Sequence, residues 1–414
     1  MCSNSIDVVG KYCQENKEFY TYKNMVNVIP LAMVDDLLAV SRCGMDSIKL
    51  NVTINSIIEL KKLRFHTPED KKRSKCHVLH IGNSEKTCTG MKVHGQDVDN
   101  VSQAVYLGDV ICQDGSNTGH IKDRVSKGMG QMNTVLNLLK SVSFGYKYFE
   151  IAVTLREAHL INGMLSSTEI LYGLKKKEID QLEEIDKMLI RSILNAPISS
   201  CVESLYLELG LVPISIILKS RRISYYHYLV NLDENEMLFK FFETQYKYPV
   251  KDDWTLQVVK DLKDFGIPES FEFMKSKSEW SFKRILKIKT KEFALNHLLS
   301  LKSEHTKMDN LCYIDLKMQN YLKSSEIPVN EAQNLFKYRV RVAQFKENFG
   351  EKYANKACPL CLVSLDTQVH SLQCSKVKEK VTIEGEYSDI FKENVSLNIS
   401  KTLLQISKLR EDLI

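Results

Sequence analysis

A chain of 414 residues with 43% hydrophobic and 26% charged side chains has ordinary globular composition, which excludes a disordered or fibrous protein. Its formal net charge is only +5, so electrostatics alone announce no polyanionic partner, although a local basic surface can sit under a balanced total. The length predicts roughly two or three domains, each large enough for its own core.

From the N-terminus, Met1 to Gly10 is polar and lacks the apolar segment of a secretory signal. No apolar run approaches the ~20 residues needed to span a bilayer, so no membrane partner is expected. Two short apolar runs, Val26–Val34 and Leu37–Val40, flank an acidic pair and predict two strands joined by a tight turn. Apolar residues at Ile48, Val52, Ile57 and Leu60 then fit a helix packed on one face. Cys76–Ile81 and Val105–Val110 read as further short strands, with Gly82, Gly95, Gly108 and Gly115 as turn punctuation.

From about residue 120 the pattern becomes helical. Ile179, Leu182, Ile185, Leu189 and Ile193 recur at helical spacing, with Pro197 closing that helix. Another helix is predicted after Pro213, and one from Thr255, as N-cap, to Phe265, ended by Gly266 and Pro268. The fold class expected is α+β, with boundaries near 120–145 and, more clearly, near 350.

Met33-Val34-Asp35-Asp36 concentrates the most chemistry. Two adjacent carboxylates in an apolar setting are costly unless paired or metal-bound. A tight hairpin presents them at its tip, as nucleic-acid polymerases do to hold Mg²⁺. Asp is also a favoured turn residue, so the pair by itself is equally compatible with a plain turn.

A second constellation lies near the C-terminus. Cys358-Pro359-Leu360-Cys361, His370 and Cys374 form a Cys-x2-Cys-x8-His-x3-Cys array. The first pair suits a knuckle turn, while His370 and Cys374, four apart, share one face of a helical turn and close a tetrahedral zinc site. Four protein ligands leave no open position, so such a site is structural. The eleven cysteines are otherwise scattered and odd in number. This favours a reducing compartment, nucleus or cytoplasm, and a metal over disulfides.

Between the two, Lys283, Arg284, Lys287, Lys289 and Lys291 crowd one predicted helix. Lys337, Arg339, Arg341 and Lys346 crowd another, interleaved with Phe336, Tyr338 and Phe345. Cations with aromatic rings suit a nucleic-acid surface. They equally suit amphipathic helices whose charges are solvated and whose rings are core.

The order of several segments resembles the C-terminal part of non-LTR (LINE-like) retrotransposon reverse transcriptases. Val34-Asp35-Asp36 resembles their x-Asp-Asp box, and Tyr106-Leu107-Gly108 the Tyr-Leu-Gly that follows the palm. Ile121-Lys122-Asp123-Arg124-Val125 is similar to the segment opening the thumb. Thr168 to Gly173, Leu189 to Leu194 and Leu207 to Ile214 resemble later segments, with Leu171 where the family has tryptophan.

The resemblance implies a partial polymerase palm over 1–115, a helical thumb and linker over 116–350, a zinc module over 355–378 and a tail over 379–414. It implies RNA-directed DNA synthesis on an RNA and DNA primer–template, with Asp35 and Asp36 on Mg²⁺. Lys75, beside Arg73 where the family has lysine, would protonate the leaving pyrophosphate. Two-metal transfer also needs a carboxylate from an upstream strand. None suitable occurs in the 34 residues before Asp35. The expectation is therefore a chain inactive by itself, dependent on an upstream part of the polymerase, or else a zinc-containing nucleic-acid-binding protein without catalysis.

Overall fold

The computed structural model describes residues 20–22, 26–28, 31–33, 36–41, 44–60, 76–82, 91–93, 95–304, 308–348 and 355–411. The class is mixed α and β: short strands come first and long helices follow. The first strands are β1 (Tyr20–Tyr22), β2 (Val26–Val28), β3 (Leu31–Met33) and β4 (Asp36–Leu38), with β1 antiparallel to β2 and β3 to β4. In the second hairpin Leu31 faces Leu38, Ala32 faces Leu37 and Met33 faces Asp36. Two apolar runs on either side of a short polar break have no other local way to pair their backbones.

Helix α1 (Gly44–Leu60) follows, with Leu50 and Ile54 buried. Asn51 and Asn55, one turn apart, both donate to the Lys92 carbonyl, at 2.7 and 3.0 Å. That ties α1 to β6 (Lys92–Val93), which pairs with β7 (Gln96–Asp97). Strand β5 (His77–Leu79) pairs in parallel with β8 (Asp99–Val101).

The expected strand at Val105–Val110 is instead a hairpin of β9 (Gln103–Tyr106) and β10 (Asp109–Cys112). Leu107 and Gly108 turn the chain at φ of 50° and 87°. Two consecutive positive φ values are what a two-residue hairpin requires, and the apolar run concealed this.

Helix α2 (Thr118–Ser141) opens the helical region and α3 (Tyr148–Leu155) runs on through a π-helical turn at Arg156–Ile161. Helix α4 (Lys176–Leu194) buries Leu182, Ile185, Leu189 and Ile193, the predicted stripe. Glu178 reaches back to the Lys175 N–H at 2.9 Å, and Asn195 in the left-handed region ends the helix before Pro197 is reached. Helices α5 (Val202–Leu209), α6 (Ile214–Val230), α7 (Met237–Lys247) and α8 (Trp254–Asp264) follow. The N-cap of α8 is Asp253, whose carboxylate accepts from the Leu256 N–H, so Thr255 lies inside the helix. The carboxylate is the stronger acceptor of the two candidates. The later helices are α9 (Phe271–Lys275), α10 (Glu279–Lys302), α11 (Asn320–Lys323), α12 (Val329–Arg339), α13 (Gln368–Gln373), α14 (Ser375–Lys378) and α15 (Leu397–Glu411).

One apolar core runs from Ile121 in α2 to Ile406 in α15 and takes in Cys358, Leu372, Cys374 and Val377. Residues 355–411 therefore fold against the helices before them. Among the described residues, four buried arginines pair with carboxylates that are themselves buried in this core. Arg156 meets Asp186 at 2.6 Å, Arg222 meets Asp261 at 2.7 Å, Arg339 meets Glu208 at 3.2 Å and Arg410 meets Asp366 at 2.7 Å. Each pair spans separate elements, and stripping one partner from such a pair costs about 3–5 kcal/mol because the other charge is stranded. Among the described residues no helix is long and apolar enough to cross a membrane.

Candidate metal centre

The loop from Ala357 to Leu365 is closed by backbone pairing at its base. Ala357 bridges Leu365, the Cys358 N–H donates to Ser364 O at 2.8 Å and the Asp366 N–H to Lys356 O at 2.8 Å. Inside it the Leu362 N–H returns to Cys358 O at 2.9 Å, with Leu362 at φ 59°. This curl aims backbone N–H groups at sulfur. Those of Leu360 and Cys361 face Cys358, and those of Val363 and Ser364 face Cys361. The second pair pulls the Cys361 pKa down to about 6, while burial raises that of Cys358.

The other two ligands are His370 within α13 and Cys374, its C-cap. Thr367 is its N-cap, its hydroxyl accepting from the His370 N–H at 2.9 Å, and the Cys374 N–H donates to His370 O at 2.7 Å. Capping fixes where the helix starts and so where His370 points. The three thiols and the imidazole converge: their ligand atoms all lie within 4.8 Å of one another, and Cys361 Sγ is 3.3 Å from His370 Nε2. A tetrahedral zinc site with bonds of about 2.3 Å to sulfur and 2.0 Å to nitrogen has edges of about 3.5–3.8 Å. The donor set and its spacing fit a metal ion such as zinc. Cys358 and Cys374 are buried, Cys361 and His370 partly so. None of the described cysteines forms a disulfide, so none consumes a ligand.

Beneath the loop lies a support that the spacing motif did not disclose. Asp366 is 2% exposed and takes a two-pronged pair from Arg410 of α15, at 2.7 and 2.8 Å. It also accepts from the Lys346 N–H at 3.0 Å. Arg410 donates to Gln344 O at 2.8 Å and lies over the Phe345 ring at 4.2 Å. The residue between the two ligand pairs is thus anchored to the C-terminal helix.

The other predicted site residues are dispersed. Asp35 and the Arg73-Ser74-Lys75 stretch lie outside the described residues, and Asp36 belongs to β4 by its backbone. Lys283, Arg284, Lys287 and Lys291 are exposed on α10. For the second basic group the aromatic rings are core, the amphipathic alternative that the sequence left open. Helix α12 ends at Arg339, and Phe336, Tyr338 and Phe345 are core, each at most 1% exposed.

Arg339 lies in the interior. It is 3% exposed, its Nε donates to both oxygens of Glu208 at 3.2 and 3.3 Å, and its Nη1 donates to Ile390 O at 2.6 Å. The guanidinium is buried against Glu208 and Ile390 and lies beneath the surface. Lys337 is half-buried, and burial lowers its pKa; Arg341 is half-buried in a left-handed turn at φ 53°. Comparison of the chain with protein-family models, with curated proteins and with solved structures gives no match.

Proposed function

We propose that this chain is a zinc-stabilised, nucleic-acid-binding protein of retroelement descent, related to the C-terminal part of non-LTR reverse transcriptases. The observation that carries the reading is the convergence of Cys358, Cys361, His370 and Cys374 within 4.8 Å. A closed four-ligand site on a loop with so little core of its own is structural. Its position, following a region with an exposed basic helix face, suits a module that holds a polyanion. In this reading residues 1–115 correspond to part of a palm, 116–350 to a thumb and linker, and 355–378 to the zinc module.

A second reading, RNA-directed DNA synthesis, draws on one observation: β3 and β4 pair antiparallel with Met33 opposite Asp36, which puts Asp36 at the turn end of its strand. Asp35 and Asp36 would then hold Mg²⁺, and Lys75 would serve the leaving group. The two readings separate in one experiment with the purified chain, a labelled RNA template with a DNA primer, Mg²⁺ and all four deoxynucleotides. Binding without extension, weakening steeply from 50 to 200 mM salt by about 0.4–0.5 decades per contacted phosphate, is the expected result. Extension abolished by Asp35→Ala would replace it with the enzymatic reading. Absence of binding at 50 mM salt would remove both.

A further inference from the structure

Helix α10 presents two different faces. Phe282, Leu286, Thr290, Ala294 and Leu298 point into the core. Trp280, Arg284, Lys287, Ile288 and Lys291 recur at intervals of three and four and are all exposed, so they form one outward strip about 16 Å long. Trp280 is 72% exposed, and the Arg284 guanidinium lies over its ring at 6.0 Å. The only other tryptophan, Trp254, is 6% exposed and donates to Glu169 O at 2.8 Å.

The acidic groups of the helix are already engaged. Glu279 pairs with Lys283 and Glu292 with Lys289. Among the described residues, Arg284, Lys287 and Lys291 have no carboxylate partner. A ring left in water beside three uncompensated cations is a surface for a ligand with flat apolar faces and regularly spaced negative charge.

We infer that this strip docks single-stranded nucleic acid, with Trp280 stacking on an unpaired base and Arg284, Lys287 and Lys291 meeting phosphates. The inference rests on the nucleic-acid reading and adds to it a residue, Trp280, and a strand preference. A duplex offers its phosphates but hides its base faces, leaving Trp280 idle; single strands offer both. A lipid surface fits less well. An interfacial helix needs a contiguous apolar face, whereas Trp280 and Ile288 are separated by two turns and interrupted by cations.

The test uses the full zinc-loaded chain and a 12-nucleotide single-stranded RNA, the same sequence as duplex, and phosphatidylserine-containing vesicles. Tryptophan fluorescence is read in the wild type and in Trp280→Phe, which keeps Trp254 as an internal reference. Anisotropy is read in Trp280→Ala and in Arg284→Gln/Lys287→Gln/Lys291→Gln. All these side chains are exposed, and an unchanged urea midpoint certifies the fold.

Expected are quenching by the single strand that disappears in Trp280→Phe, about tenfold weaker binding in Trp280→Ala, and a salt slope lower by about two in the triple variant. Unchanged affinity in both anisotropy variants would overturn the strip and leave the broader nucleic-acid reading standing. No binding of either oligonucleotide would overturn both. Quenching by vesicles and not by RNA would assign the strip to a membrane surface and overturn the inference alone.

Discussion

Replacing Arg410 with Met tests whether the metal loop is held from below. The substitution keeps an unbranched apolar stem but removes the guanidinium that lies over the Phe345 ring, and with it three hydrogen bonds: two to Asp366, at 2.7 and 2.8 Å, and one to Gln344 O at 2.8 Å. Asp366, 2% exposed, would be left with the Lys346 N–H at 3.0 Å as its remaining support. Stranding one partner of a buried pair costs about 3–5 kcal/mol. The surviving backbone donor puts this case near the lower end, about 3 kcal/mol, on the order of a hundredfold in the folding equilibrium.

The assay is equilibrium urea unfolding with zinc present, beside the rate at which a chelator withdraws the metal. Asp366 sits between the ligand pairs, one residue before the cap of α13, so both readouts should move together. Asp366→Asn added to Arg410→Met removes the stranded charge and should restore part of the loss, a coupling of about 1–3 kcal/mol. A cost below about 1 kcal/mol, or no rescue by the second substitution, would refute the reasoning.

His370→Ala and Cys374→Ser should each lose bound zinc and expose the loop to limited proteolysis, because metal binding and folding of such a module are one equilibrium. Gly210→Ala should destabilise far more than Gly173→Ala, although both glycines have φ above 60°. A Cβ on Gly210 would lie 2.3 Å from the Lys317 carbonyl carbon, whereas one on Gly173 meets nothing within 4 Å, leaving the left-handed penalty of about 1 kcal/mol; urea midpoints decide this.

Burial, the largest cause, lowers the pKa of both His120 and His227 from 6.5. The folded state therefore binds fewer protons than the unfolded one, and this stability is full above pH 6.5 and lost as pH falls through the folded values. His227→Phe, which keeps a ring against Phe282, should lose less stability than wild type between pH 7.5 and 5 (a range set about the ordinary histidine pKa); equal losses would contradict the assignment. Arg339→Met should lower the urea midpoint and leave the salt slope of RNA binding unchanged.

What the sequence disclosed depended on how far apart the interacting groups lie. The Cys358–Cys361 and His370–Cys374 ligand pairs were legible because every ligand falls within a short stretch and the spacing itself encodes the convergence. The stripe of α4 was legible because burial follows the helical period. Arg339 was misplaced because its partner Glu208 is 131 positions away, and a lone basic residue looks the same whether solvated or paired. The Asp366–Arg410 tie, 44 positions apart, was invisible for the same reason. Trp280 was overlooked because exposure of one ring depends on which face of α10 the core selects, and the apolar count alone does not rank faces. At Asp253 and Thr255 both residue types cap helices, so local chemistry offered two starts and only the backbone chose. The Tyr106-Leu107-Gly108 segment reads as strand by apolar content, yet Gly108 supplies the positive φ that reverses it.

The measurement that bears most directly on the metal centre is the zinc content of the purified full-length chain after exhaustive gel filtration, by elemental analysis, in wild type and in Cys358→Ser/Cys361→Ser. The account predicts about one equivalent per chain in the wild type, as four ligands for one tetrahedral ion require, and close to none in the double variant. Wild-type protein with all four ligands reduced and well under one equivalent of zinc would contradict it.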